Sequence, residues 1–190
     1  MVARAVILSI ASLVLLGSAD AGLQLTPRVV NHELDGAKFK RLAFPDGGNN
    51  EITYIPPAGW EYVGSATRLA LHPRNKSQAE GTVTKVSLPE PASFDEESLE
   101  KLALEAMGSL PLGSTNVALA SQQKNPVFIG GKETILVTVS YTSHGEKFGR
   151  SLMILNRGKE QIRFQLVSRL EDFAELQSAF LNSHFGWENL

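Results

Sequence analysis

No cysteine occurs anywhere in the 190 residues. That absence excludes disulfide staples, thiolate zinc sites, iron–sulfur clusters, thiol catalysis and a lipid-modified N-terminal cysteine. Charge of one sign is also missing. Eighteen Lys and Arg stand against 20 Asp and Glu, a net charge of −2, so no field selects nucleic acid or an anionic membrane as a partner. Histidine is sparse. His32, His72, His144 and His184 have no neighbour of their kind at two, three or four residues' spacing. Zinc would need ligands gathered from distant loops, so isolated surface or turn roles are expected, with no metal and no cofactor.

Apolar runs long enough to span a membrane are absent too. The longest, Ala5 to Leu16, is interrupted by Ser9 and Ser12, follows Arg4 and precedes Ala19-Asp20-Ala21. It has roughly half the length that a spanning helix needs. With a basic residue before it and small residues after it, the segment reads as a cleavable export signal over residues 1–21. The alternative is a short N-terminal membrane anchor. Cleavage leaves a mature form with no membrane span, placed in the periplasm or outside the cell. An exported chain without disulfides must rely on its hydrophobic core, which suits a bacterial envelope protein.

At 43% hydrophobic and 20% charged residues, the composition is that of an ordinary globular chain, long enough for one domain with a real core. Residues 22–35 lack periodicity and are expected as a flexible leader, followed by a single domain over 36–187. The clearest pattern lies between Lys132 and Phe185. Ile135, Val137, Val139 and Tyr141 alternate with Thr134, Leu136, Thr138 and Ser140, which predicts a strand. A second strand, Lys147 to Leu155, has Phe148, Leu152 and Ile154 on one side, with Arg150 interrupting it. After the turn Asn156 to Lys159, Ile162, Phe164 and Leu166 alternate with Gln161, Arg163 and Gln165. Ser168 to Glu171 matches a capping box, and Phe173, Leu176, Phe180 and Leu181 then recur at helical spacing.

Upstream, strands are predicted over Gly36 to Phe44, Ile52 to Ile55, Thr67 to Leu71 and Thr82 to Leu88, with Trp60 plugging one end of the sheet. Ser93-Phe-Asp-Glu96 matches another capping box, opening a helix to about Met107 with Leu99, Leu102, Ala103, Ala106 and Leu110 on its buried side. Asp95, Glu96 and Glu97 suit its first turn, where the helix dipole favours negative charge. Val117 to Ser121 reads as a short strand. Trp187 lies past the last helix and is expected to fold back onto the domain. The order strands, helix, strands, helix predicts an α+β domain, a central and mainly antiparallel sheet flanked by helices.

Ile52-x-x-Ile55-Pro-x-x-Gly59-Trp60 resembles the early signature of PsbP-like domains. Further matches follow in order: the acidic-capped helix between Leu88 and Met107, the strand pair around Gly130-Gly131, and the final strand running into Glu171-Asp172-Phe173. The resemblance spans roughly Gly36 to Phe185. It implies a PsbP-like α/β/α sandwich and a non-enzymatic accessory or interaction role, as in the superfamily's DcrB-like envelope proteins and yeast Ran-binding import factor. It carries over no catalytic set.

The residues themselves offer little for catalysis. Gly149-Arg-Ser151 lacks the second glycine of a nucleophile elbow, since Met153 stands there, and it reads as strand interior. Gly130-Gly-Lys-Glu-Thr134 only echoes a phosphate loop, because no helix follows it. A partner-binding face is conceivable from Tyr141, His144, Lys147, Arg150, Arg157 and Arg163, set against the ordinary reading of a solvated face. The leading expectation is therefore a non-catalytic accessory domain that contacts another envelope protein. The alternatives are a periplasmic carrier of an apolar small molecule or lipid and a hydrolase without a recognisable motif.

Overall fold

The computed structural model describes residues 22–34, 37–92 and 94–190; the segment read as an export signal and Ser93 lie outside the described residues. The chain forms β1 (Arg28–Leu34), β2 (Ala37–Pro45), β3 (Glu51–Tyr54), β4 (Trp60–Gly64), β5 (Arg68–Pro73) and β6 (Glu80–Ser87) before its first helix, α1 (Glu96–Gly108). After it come β7 (Thr115–Lys124), β8 (Thr134–Ser143), β9 (Glu146–Arg157), β10 (Glu160–Arg169), α2 (Leu170–Ser183) and a 3-10 turn over His184–Gly186.

Two sheets form. The larger has seven strands in the order β4-β5-β6-β10-β9-β8-β7, all neighbours antiparallel. The smaller is the meander β1-β2-β3. This is the α+β architecture that the strand and helix order predicts, with the second sheet as an addition. The connection through α1 carries the chain from β6 to the far edge, and the β7-to-β10 meander then returns to pair β10 with β6.

The centre of the large sheet, β8 and β9, is buried on both faces, by different means. On one face, α1 lays Leu102, Ala103 and Ala106 over Ile135, Val137 and Val139 of β8 and Leu152 and Ile154 of β9. On the other, α2 and the small sheet cover Leu136, Met153, Leu155, Ile162, Phe164 and Leu166. Ile135, Val137, Val139, Ile162, Phe164 and Leu166, whose alternation predicts apolar faces, are therefore all buried, but on opposite sides of the sheet. Gly149 permits close approach of α2: a Cβ there would lie 2.4–2.8 Å from the Phe173 ring.

Several local expectations resolve differently. Residues 22–34 are not a loose leader. Leu23 and Leu25 are fully buried, and β1 pairs with β2 along its length. Helix α1 is capped by Asp95, whose carboxylate accepts from the Ser98 backbone N–H at 2.8 Å, so the box runs from Asp95 to Ser98 and starts two residues later than predicted. The Ser98 hydroxyl, donating to the same carboxylate at 2.6 Å, holds the Asp95 carboxyl below its ordinary range together with this backbone bond. For α2, the predicted box does not form. Arg169 occupies the N-cap without a side-chain cap, and Ser168 is buried with its hydroxyl donating to the Arg169 carbonyl.

The C-terminal segment closes the structure. Trp187 is 3% exposed and stacks on Tyr54 (4.3 Å between ring centroids) and Phe44 (5.5 Å), with Phe164 edge-on at 6.0 Å. Glu188 and Thr53 exchange backbone hydrogen bonds, and the Glu188 carboxylate pairs with Arg41. Immediately before it, His184 is fully buried between Phe164 and Phe180, each 4.5 Å away, and neither ring nitrogen has a hydrogen-bond partner.

Burial pulls the His184 pKa from 6.5 to about 3. A depressed histidine pKa means that the unfolded chain takes up a proton which the native state refuses. Its stabilising contribution is complete above pH 6.5 and is lost as pH falls toward 3. Between pH 6.5 and 5, before the carboxylates titrate, the predicted loss is about 2 kcal/mol. Urea midpoints of the wild type and His184→Met should diverge over this window, the variant remaining flat. Equal slopes for the two proteins would refute the assignment.

Candidate functional site: the α1–β7 edge

The six residues considered for a partner face do not gather into one. Tyr141 is buried and stacks on Phe148 at 5.6 Å. Arg150 is 9% exposed beneath α1. Arg157 turns toward Asp46 and Glu160. Arg163 pairs with Glu105 of α1, and its Nε donates to the Gln161 side-chain Oε1 at 2.8 Å. His144 and Lys147 are exposed at the β8–β9 turn, where His144 has a positive φ of 50°. Lys147 and Arg157 sit at opposite ends of β9, about 33 Å apart along the strand.

Arg150 has a clear structural task. Its Nη1 donates to the Ser109 carbonyl at 2.9 Å and the Ala106 carbonyl at 3.4 Å, while Nε and Nη2 donate to Gln165 Oε1 at 3.1 and 2.6 Å. The last turn of α1 carries no basic residue of its own, so β9 supplies the cation that its carbonyls and dipole favour. Burial lowers the Arg150 pKa, and the nearby Tyr141 and Glu105 partly offset that effect.

What the surface does gather is apolar. Leu104 is 67% exposed, Leu112 99%, Val117 42% and Leu119 43%. All four belong to α1, β7 or the loop between them. Helix α1 packs on β7, β8 and β9. Glu105 pairs with Arg163 on β10, so its flank faces away from β7. At about 100° per residue, Glu100 falls on the opposite flank, toward β7, while Leu104 and Glu97 fall on the outward face of the helix, away from the sheet. Leu119 lies opposite Val139, on the sheet face that α1 covers, and Gln122 and Lys124 lie opposite Val137 and Ile135 on the same face. Lys124 donates to the Phe94 carbonyl at 3.5 Å, fixing the end of β7 beside the start of α1.

β7 is the free edge of the large sheet. It is ten residues long where a five-residue strand is predicted, and nine of its ten residues are exposed. Register shifts between Thr115 and Ala118 and between Leu119 and Ser121 leave Ser121–Lys124 as its regular stretch. The sequence signal for this site was available: Leu104 falls off the buried stripe of α1, and Leu112 follows Pro111 outside any periodic segment.

Catalytic arrangements are not assembled around the sequence candidates. Ser151 is buried inside β9. Gly130 and Gly131 form a turn closed by the Ile129–Lys132 bridge, and Lys132 Nζ donates to the Leu190 carbonyl at 2.7 Å. His32, His72, His144 and His184 occupy β1, β5, the β8–β9 turn and the C-terminal turn. Among the described residues, no group of three or more possible metal ligands comes together.

Arg150→Ala should lower stability by about 3 kcal/mol, because it removes charged hydrogen bonds from buried carbonyls and strands the Gln165 amide. Arg150→Lys should fall between it and the wild type, since an ammonium cannot reproduce the forked contacts. Urea unfolding measures both, and a loss below 1 kcal/mol for Arg150→Ala would contradict the capping role.

No family profile matches the chain, and no curated protein sequence matches it. Solved structures do. The solution structure of the cyanobacterial PsbP protein CyanoP from Synechocystis aligns over 72% of this chain and 85% of its own, at 9% identity and a TM-score of 0.51. LpqN of Mycobacterium tuberculosis, described as involved in cell envelope biogenesis, aligns over 83% and 87%, at 10% identity and a TM-score of 0.47. A Pseudomonas aeruginosa protein of unknown function, PA94, described as a putative regulator, aligns over 83% and 94%, at 14% identity and a TM-score of 0.45. With its helices packed on an antiparallel sheet in the order that the Gly59-Trp60 signature implied, the chain has the PsbP-like fold.

Proposed function

We propose that this chain is an exported, non-catalytic accessory domain of the bacterial envelope that works by contacting another protein through its α1–β7 edge. The observation that carries the reading is the exposure of Leu104, Leu112, Val117 and Leu119 on α1, the edge strand β7 and the loop between them. Large apolar side chains gathered at a surface mark contact sites more often than scattered ones do. The apolar N-terminal run supports export, and among the described residues no helix is long and apolar enough to cross a membrane.

The carrier reading needs an apolar cavity between sheet and helices. The region where it would lie is filled by Phe164, Phe173, Phe180 and Trp187. The larger surface hollows, of about 710 Å³, are lined chiefly by polar residues such as Asp46, Asn50, Arg157 and Glu160 in one, and Glu61, His72, Arg74 and Lys76 in the other. These features favour protein contact over ligand carriage.

The test is a paired Leu104→Ser, Leu119→Ser variant. Both side chains are exposed, so thermal stability should remain near that of the wild type. Cross-linking in intact envelopes should then yield a specific partner with the wild type and lose at least nine-tenths of it with the variant. Undiminished cross-linking would contradict the proposed contact. Native mass spectrometry should give the bare protein mass, and a copurifying lipid would favour the carrier instead.

A further inference from the structure

We infer that the C-terminal tail, residues 184–190, is an acid-released clasp: a proton taken up by His184 frees the tail from β3 and the core while the seven-stranded sheet stays folded. His184 is the junction between α2 and the tail. It is the C-cap of the helix, with φ and ψ of −69° and −19°. Its ring is 0% exposed, lies 4.5 Å from both Phe164 and Phe180, and has no hydrogen-bond partner on either nitrogen. A neutral imidazole carries one donor and one acceptor; the protonated ring carries two donors and a full charge. The slot between the two phenyl rings satisfies neither form and penalises the charged one far more. A proton is therefore taken up only by a ring that has reached water.

No charged group compensates for that burial, which is the sole cause of the depressed His184 pKa. On α2, Glu171, Asp172 and Glu175 precede His184 by nine residues or more, about 13 Å along the helix axis. On β10, Arg163 points to the opposite face, toward Glu105, and Glu160 is held by Lys85 and Arg157. β3 presents Tyr54, whose hydroxyl shares a 2.8 Å hydrogen bond with Ser183 and is kept neutral by burial. Trp60 of β4 and Gly81 of β6 pack on the Phe180 ring, and the charged residues beside them, Glu61 and Glu80, pair with Arg74 and Arg68. In the tail, Glu188 pairs with Arg41, which holds its carboxyl below the ordinary range. His32 of β1 also attracts Glu188, so a proton gained there holds the tail rather than releasing it.

The tail is the smallest unit whose movement hydrates the ring. Helix α2 is anchored by Phe173, Leu176 and Phe180, and β10, which carries Phe164, is paired on both sides with β6 and β9. The tail is held by less. It exchanges one pair of backbone hydrogen bonds with β3, between Thr53 and Glu188. Its other fastenings are the buried Trp187 and Leu190 side chains, the Arg41–Glu188 pair, Asn189 Nδ2 donating to the Glu51 carbonyl at 3.3 Å, and Lys132 Nζ donating to the Leu190 carbonyl at 2.7 Å. Lifting it breaks no pairing of the large sheet. Trp187 and His184 lie against the same Phe164 ring, at 6.0 and 4.5 Å, so departure of the indole opens the histidine slot to water. Release uncovers Phe44, Tyr54 and the edge of β3. Because only the released state accepts the proton, each pH unit below 6.5 favours release about tenfold, until the folded-state pKa of about 3 is reached.

Hydrogen exchange on the full chain at pH 7 and pH 5 tests this, with each rate divided by the intrinsic rate of the unstructured amide at the same pH. The resulting opening constants of the Thr53, Trp187 and Glu188 amides should rise about 25-fold between the two conditions. At both pH values they should exceed those of β8 and β9 by at least about a hundredfold, the mark of a local rather than a global opening. In His184→Met the rise should vanish, and His32→Asn should keep it. Opening constants at Thr53, Trp187 and Glu188 that do not change with pH in the wild type would overturn the inference without recourse to any variant. So would tail and β9 amides sharing one opening constant at pH 5, because His184 would then meet water only by global unfolding. A rise that survives His184→Met and disappears in His32→Asn would assign the trigger to β1 and refute the role of His184.

Discussion

The stacking of Trp187 on Tyr54 and Phe44, with Phe164 at its edge, joins the two sheets of this protein. The four rings come from three parts of the chain: Phe44 and Tyr54 from the small sheet, Phe164 from the last strand of the large sheet and Trp187 from the C-terminal tail. A three-stranded meander has little independent stability. Here it gains a core by laying Leu42, Phe44, Ile52 and Tyr54 against the large sheet, with Trp187 filling the junction. Burying a tryptophan of this size stabilises a protein by about 3–5 kcal/mol relative to alanine. The cost of leaving its indole N–H without a partner is about 1–3 kcal/mol. Burial wins, and the tail is held. The Glu188–Thr53 backbone pair and the Arg41–Glu188 ion pair then fix its direction.

This clamp covers one face of the large sheet, and α1 covers part of the other. The consequence is that β8 and β9 are buried on both sides, so a polar residue at their centre must find partners within the protein. Arg150 does so by reaching the carbonyls at the end of α1, and Arg163 by pairing with Glu105. Arg150, a cation interrupting the apolar side of its strand, becomes a fastening for the helix above it. Exposed apolar groups remain on α1, β7 and the loop between them, beyond the reach of the tail.

Much of the fold was legible because its signals were local. The alternation in β8 and β10 and the helical stripe in α2 predict those elements without any knowledge of their neighbours. Trp187's return to the core follows from its apolar bulk. What was not legible depended on contacts distant in sequence. The 22–34 segment has no period of its own, yet Leu23 and Leu25 are buried because a second sheet exists for them to meet. Asp95 replaces Ser93 as the α1 cap because its carboxylate reaches the Ser98 N–H. The proposed basic face failed to assemble for a similar reason: residues on adjacent strands share a face only if nothing packs over it, and α1 packs over Arg150. The candidate site was half visible. Leu104 stands outside the helical stripe, but the exposure of Val117 and Leu119 required knowing that β7 is an edge.

The structure thus has a sealed side, where the tail binds the small sheet to the large one, and a side with an edge strand and exposed apolar side chains. The clamp is the claim on which the rest stands, and hydrogen exchange on Trp187→Ala tests it most directly. Amides of β2 and β3 should lose protection by at least a hundredfold while those of β8, β9 and β10 stay within tenfold of the wild type. A uniform loss across both sheets, or no loss in β2 and β3, would contradict the clamp.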